Sequence, residues 1–180
     1  MDEFNRAKEQ YNKALGIDSL YPQAYTGLSE LYDTYLYVKL FQNKLEPGDQ
    51  KTYGKKRDSC ANKAYHLAPY LPQTLMAKGN YYFSLAATTG NHDSAFFYLK
   101  KAYRVAPNDA QINFNISRFY NVIGLFYQAR PYMEKARQLN PISPLPYLPI
   151  VYNYLTLGDF DEAEKYANEG LQLNPMKCFC

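Results

Sequence analysis

A frame of 34 residues recurs along this chain, and no other feature constrains its fold as tightly. The stretch Ala110 to Pro141 reads AQINFNISRFYNVIGLFYQARPYMEKARQLNP. Ile116, Ser117 and Tyr120 share one helical face. After Gly124 and Phe126, the residues Ala129, Met133 and Ala136 share a second. Moved by 34 residues the frame returns: Tyr120 maps to Tyr154, Gly124 to Gly158, Phe126 to Phe160, Ala129 to Ala163 and Pro141 to Pro175. A helix, a tight turn and a second helix at a fixed period read as a stacked array of helical hairpins. A second spacing is independent of the first. Ala14 to Tyr32, Ala64 to Tyr82, Ala102 to Tyr120 and Ala136 to Tyr154 are all 18 residues apart.

The frame resembles the tetratricopeptide repeat (TPR) family. Tyr147-x-x-Ile150-Val151-x-x-Tyr154, Ala129-x-x-x-Met133-x-x-Ala136 and Ala163-x-x-x-Ala167-x-x-Gly170 carry the resemblance. It implies an all-α fold, a right-handed superhelical solenoid of antiparallel helix pairs with about four and a half units. The expected division of a single domain over 1–180 is a half repeat at 1–20 and a repeat at 21–69 with an insertion near 40–53. Further repeats follow at 70–107, 108–141 and 142–175, with a tail at 176–180.

Within this frame the irregularities are specific. Residues 2–16 read as a second helix with Ala7, Tyr11 and Ala14 on one face. Pro22 begins the next helix, where a missing N–H costs least, and the helix runs on through Tyr35, Leu36 and Leu40. Tyr32 to Ala64 spans 32 residues against 16 for Tyr120 to Ala136, so 16 are inserted. Pro47-Gly48-Asp49 places the inserted loop near Leu45 to Thr52, with a helix from about Tyr53 to Leu67. The basic cluster from Lys51 to Arg57 reads as a solvated loop and helix start. Lys78 stands where the pattern expects an apolar residue. Four extra residues fall in a turn from Ala87 to His92. Pro144, Pro146 and Pro149 crowd a helix start expected at Ser143 to Pro146, and Pro131 is expected within about a turn of its own helix start.

Charge and motifs exclude more than they propose. The formal net charge is +3, which is not the dense basic footprint of a nucleic-acid binder. No apolar run reaches membrane-spanning length, and MDEFNRAKEQ is no signal peptide. The chain reads as cytoplasmic. There is no phosphate loop, metalloprotease helix or nucleophile elbow. His66 near a helix C-terminus and His92 in a turn read as structural, so no catalytic residue, cofactor or metal is expected. An enzyme would need scattered groups such as Glu30, Asp33 and Arg118. Cys60 reads as a small core residue, and Cys178 with Cys180 lack the four ligands of a structural zinc site. Asn115-Ile116-Ser117 matches a glycosylation acceptor but falls mid-helix.

What remains is surface. In the TPR family the first helices line a concave wall. The resemblance places Gln73, Met76, Asn80, Phe83, Gln111, Phe114, Arg118, Asn121, Leu148 and Tyr152 on that wall as a peptide-binding set, with Leu145 and Leu155 completing an apolar end. Amides and one arginine suit a peptide backbone, and rings suit its side chains. For Phe83 and Phe114 two readings stand: pocket rings or core. The lysines of a carboxylate clamp are missing. The function expected is a non-catalytic scaffold for a protein or peptide partner, with self-association through uncapped ends as a further expectation. The alternative is a regulatory or oligomerising segment of a bacterial signalling protein, to which the stretch ALGIDSLYPQAYTGLSELY is loosely similar.

Overall fold

The computed structural model describes residues 2–90 and 92–173. Nine α-helices are formed among them: α1 (Asp2–Ile17), α2 (Pro22–Phe41), α3 (Lys55–Leu67), α4 (Pro72–Thr89), α5 (Asp93–Val105), α6 (Ala110–Val122), α7 (Phe126–Leu139), α8 (Tyr147–Thr156) and α9 (Phe160–Leu173). The described residues contain no strand. The chain divides into two compact units, Met1–Ala102 and Tyr103–Cys180. Cys178 and Cys180 lie outside the described residues.

In the N-terminal unit α1 packs on α2, α2 on α3, and α3 on α4. The core face of α2 is Ala24, Leu28, Tyr32 and Leu36, each four residues from the last, which is the spacing of one helical stripe. The α1–α2 approach depends on Gly27. A Cβ there would lie 2.3 Å from the Tyr11 ring, inside van der Waals contact. Ala61 and Ala64 of α3 and Ala95, Leu99 and Ala102 of α5 are all buried. Tyr82 of α4 stacks on Tyr98 of α5 with centroids 5.4 Å apart, and Tyr65 of α3 meets Tyr98 edge-on at 5.5 Å.

The insertion departs from expectation. Pro47-Gly48-Asp49 does not make a loop: it is the first helical turn, followed by a π-helical turn over Gln50–Gly54 that runs into α3. The same residues that signal a turn also signal a helix start. Pro47 sits at the first helical position, and Glu46 with Asp49 form a capping box, Asp49 accepting from the Glu46 N–H at 3.0 Å. With two orphan donors satisfied, the helical start prevails. The loop is confined to residues 42–46, with Asn43 left-handed at φ 52°.

Three smaller expectations are also corrected. Helix α4 continues through Thr89 and stops at Gly90, whose φ is +69°, so the turn expected from Ala87 is shorter. Helix α8 begins at Tyr147, one residue after the expected range, with Pro146 as N-cap and Pro149 in the first turn. Pro131 lies in the second turn of α7, beyond the first turn where proline costs nothing.

The C-terminal unit is regular. Helix α6 pairs with α7 and α8 with α9. Both turns close the same way. The Leu125 N–H donates to the Tyr120 carbonyl and the Asp159 N–H to the Tyr154 carbonyl, each at 2.9 Å. Gly124 and Gly158 sit at φ +78° and +77°, the left-handed cap that favours glycine. Ala129, Met133 and Ile150 form the core, ringed by Tyr120, Tyr154 and Tyr166. Tyr120 pairs with Tyr132 and Tyr154 with Tyr166, at centroid distances of 5.7 and 5.4 Å, so the tyrosine of each first helix meets the tyrosine of its own second helix.

Candidate interaction surface

Each unit holds part of the expected binding set. On α4 of the N-terminal unit, Met76 and Asn80 are buried, while Gln73 and Phe83 are partly buried. The Asn80 Oδ1 has no hydrogen-bond donor among the described residues. On α6 of the C-terminal unit, Phe114, Arg118 and Asn121 are buried and Gln111 is partly buried. The Arg118 guanidinium lies 6.0 Å from the centre of the Phe114 ring, within cation–π range. On α8, Leu148 is partly buried, and Tyr152 and Leu155 are 46% and 50% exposed.

The structure brings Gln111 and Phe114 together with Leu145 in one shallow recess. Ala136 and Asn140 from the end of α7 and Ser143 and Pro146 from the connection complete its lining. Two local features make it. The Asp109 side chain accepts from the Ile112 N–H at 3.0 Å and fixes the start of α6. Three prolines hold residues 140–146 out of helix, so the connection stands beside α6 instead of extending α8.

Asn121 is hydrogen-bonded within its own unit. Its amide donates to the Pro149 carbonyl at 3.0 Å, and its oxygen accepts from the Asn153 amide at 2.7 Å. Asn153 also donates to the Phe126 carbonyl at 2.8 Å and accepts from the Arg130 Nε at 3.3 Å. The Arg130 guanidinium in turn stacks 4.4 Å from the Tyr154 ring centre. Buried amides satisfied in this way rigidify the α6–α8 contact. Asn153 and Arg130 escape the sequence reading. The available signal is an asparagine immediately before the frame tyrosine, at a position that alternation alone leaves ambiguous.

In the N-terminal unit the departures are charged. Arg57 is buried, not solvated: its guanidinium pairs with Asp33 at 3.3 Å and Asp58 at 2.9 Å and donates to the Ser84 hydroxyl. By the spacing to Ala64, it fills the position held by Ala95, Ala129 and Ala163 elsewhere. Lys78, the misfit of the sequence pattern, is surrounded by rings. Its ammonium lies 4.6, 5.0 and 5.7 Å from the centres of Tyr81, Tyr82 and Tyr65 and donates to Asn62. Burial holds its pKa below the usual lysine range. Cys60 is free and half-buried, and burial pushes its thiol up to about 11, which keeps it protonated and unreactive at neutral pH. The acceptor pattern at Asn115 is buried, and its amide donates to the Gln111 carbonyl. Among the described residues no cluster of His, Cys, Asp and Glu is placed to hold a metal ion, and no helix is long and apolar enough to cross a membrane.

The tetratricopeptide repeat family model matches residues 73–109 and 147–175. No curated protein matches the chain. Among solved structures it is similar to TTC0263, a thermophilic TPR protein of Thermus thermophilus. The two share 18% identity over 96% of this chain and 84% of that one, with a TM-score of 0.69. It is also similar to MamA, at 19% identity over 98% and 91% with a TM-score of 0.58. YrrB, a TPR protein with an unusual peptide-binding site, shares 17% identity over 97% and 80% with a TM-score of 0.55. Two matched repeats, paired helices closed by equivalent turns and a fold shared with TPR structures lead to one conclusion: this chain carries tetratricopeptide repeats.

Proposed function

We propose that the chain is a non-catalytic scaffold that binds an extended peptide or a partner helix on the first-helix faces of its repeats. The observation that carries this reading is the exposure of Tyr152 and Leu155 on α8, at 46% and 50%, in the same unit as the recess formed by Gln111, Phe114 and Leu145. Exposed apolar side chains clustered beside polar groups are a recurrent mark of protein contact. Tyr152 supplies a large apolar body with a polar tip, and Gln111 supplies an amide for a peptide backbone.

The buried members of the expected set take a supporting part. Phe114 and Arg118 form a floor, and Asn121 holds α8 in place through Pro149 and Asn153. In the N-terminal unit Gln73 and Phe83 retain exposure for direct contact, with Met76 and Asn80 beneath them. Leu148 stands on α8 with Tyr152. YrrB, with its peptide-binding site, is a precedent for such use of this fold. We take the same use of the first helices as the reading for this chain, with no nucleic acid, cofactor or chemistry involved.

The test is peptide selection. A displayed library is panned on the wild-type chain, and the enriched peptides are titrated against Tyr152→Ala with Leu155→Ala. Loss of about tenfold or more in affinity is expected from removing two apolar anchors. Unchanged affinity would remove this face from the function.

A further inference from the structure

The helical run from Pro47 to Leu67 presents an outward face that is basic along its length. Lys51, Lys55, Lys56, Lys63 and His66 are exposed, and the other exposed residues between 50 and 66 are uncharged. The two carboxylates in the run are already used. Asp49 is bound to Lys39 at 2.9 Å and Asp58 to Arg57 at 2.9 Å. None of the four lysines has an ion-pair partner among the described residues. The corresponding faces of the other second helices differ. The exposed residues of α7 carry no charge, α5 exposes one acid and one base, and α9 exposes Asp161 and Glu164 against Lys165. The basic stripe therefore belongs to the repeat with the insertion, not to the repeat frame.

We infer that this stripe docks an acidic, extended segment of a partner protein. Lys51 to Lys63 spans about 18 Å at the helical rise of about 1.5 Å per residue. An extended chain covers that length in five or six residues, at about 3.3 Å each. The charges are lysine ammonium groups, point charges on flexible stems, which suit carboxylates at variable spacing better than bidentate phosphate recognition. A membrane surface is disfavoured because the stripe exposes no apolar residue to enter the headgroup region. Nucleic acid is disfavoured because the stripe offers no aromatic platform for bases: Tyr53 is turned into a cluster with Phe4, Tyr32 and Tyr35. This proposal uses residues of the N-terminal unit only and does not depend on the preceding reading of α8.

The experiment uses the whole chain and a labelled octaglutamate peptide, followed by fluorescence anisotropy. Lys51→Gln, Lys55→Gln, Lys56→Gln and Lys63→Gln together should weaken binding by about thirtyfold, taking each exposed pair at a fraction of a kcal/mol. The single reversals Lys55→Glu and Lys63→Glu should each cost several-fold, which keeps the test valid if the fourfold variant folds poorly. Raising salt from about 50 to about 300 mM should weaken wild-type binding about tenfold. An octalysine peptide should not bind. Tyr152→Ala with Leu155→Ala should leave octaglutamate binding unchanged, which separates this proposal from the other face. Three results would overturn it: equal affinity in the fourfold variant, tighter binding of phosphatidylserine vesicles or a twelve-nucleotide DNA, or low-salt self-association that accounts for the anisotropy change.

Discussion

The two units solve one packing problem with different chemistry. The C-terminal unit puts Ala129 and Ala163 at the crossing of its helix pairs, and both are buried. The N-terminal unit puts Arg57 at the equivalent place in its inserted repeat and answers it with Asp33, Asp58 and Ser84. Charge follows the same division. Residues 1–102 hold 13 Lys and Arg against 10 Asp and Glu, and residues 103–180 hold 7 against 7. The whole excess of three therefore lies in the unit that carries the insertion. A repeat frame tolerates a buried cation where partners arrive from the neighbouring helices, and the insertion tolerates a charged exterior because its own carboxylates are tied up. In the regular unit Asn121 and Asn153 are buried neutral amides, satisfied by carbonyls and each other, and the buried cation, Arg118, lies beside the Phe114 ring.

Exchanging the two solutions should break them unequally. Ala129→Arg places a guanidinium in a fully buried site packed among Met133, Ile150 and Tyr154, and should cost more than about 4 kcal/mol. Urea unfolding followed by circular dichroism measures it, and a soluble variant with an unshifted midpoint would contradict the account. Arg57→Ala should cost about 3 kcal/mol, because the largely buried Asp33 loses its ion pair with the guanidinium. Arg57→Ala combined with Asp33→Leu should recover most of the loss, since Ala and Leu are what the last repeat carries at Ala163 and Leu155. A double variant no better than the single one would show that the pair does more than fill the frame.

Asn153→Ala tests the neutral solution. It removes the donor to the Asn121 oxygen and the Phe126 carbonyl, and about 2 kcal/mol of stability should go with it. Hydrogen exchange should show the loss first in α8. The smallest effect concerns the insertion's clamp. The Glu46 N–H, and then Lys39, hold the Asp49 carboxyl below the usual carboxylate range. A depressed folded-state pKa gives stability that is present above the unfolded value near about 4 and is lost as pH falls through the folded value. Asp49→Asn should therefore melt below wild type at pH 6, and the difference should close toward pH 2. A gap that persists at pH 2 would assign the role of Asp49 to shape, not charge.

Legibility in the sequence runs in proportion to how local the cause is. The recurring tyrosine, glycine and alanine places give the hairpins and their turns, because a helical stripe and a left-handed cap are set by neighbours three to five residues away. Pro47-Gly48-Asp49 misleads because turn and helix-start signals use the same residues, and only the capping box with Glu46 chooses between them. The wall residues fall on the helices expected of them. How far each is buried is not legible, because burial at Met76, Asn80, Phe114 and Arg118 depends on what the rest of the chain brings against them.

The sequence by itself therefore determined the repeat: its period, its small residues at helix crossings and its recurring tyrosine places, all enforced by short-range geometry. Tertiary structure alone decided where charge goes. Whether Arg57 is solvated or buried, and whether Lys51 to Lys63 form a stripe or a loop, turns on Asp33 and Ser84, 24 and 27 residues away from Arg57, and on a helix extended backward by its cap. Electrostatic partners act through space, and no periodicity along the chain encodes them.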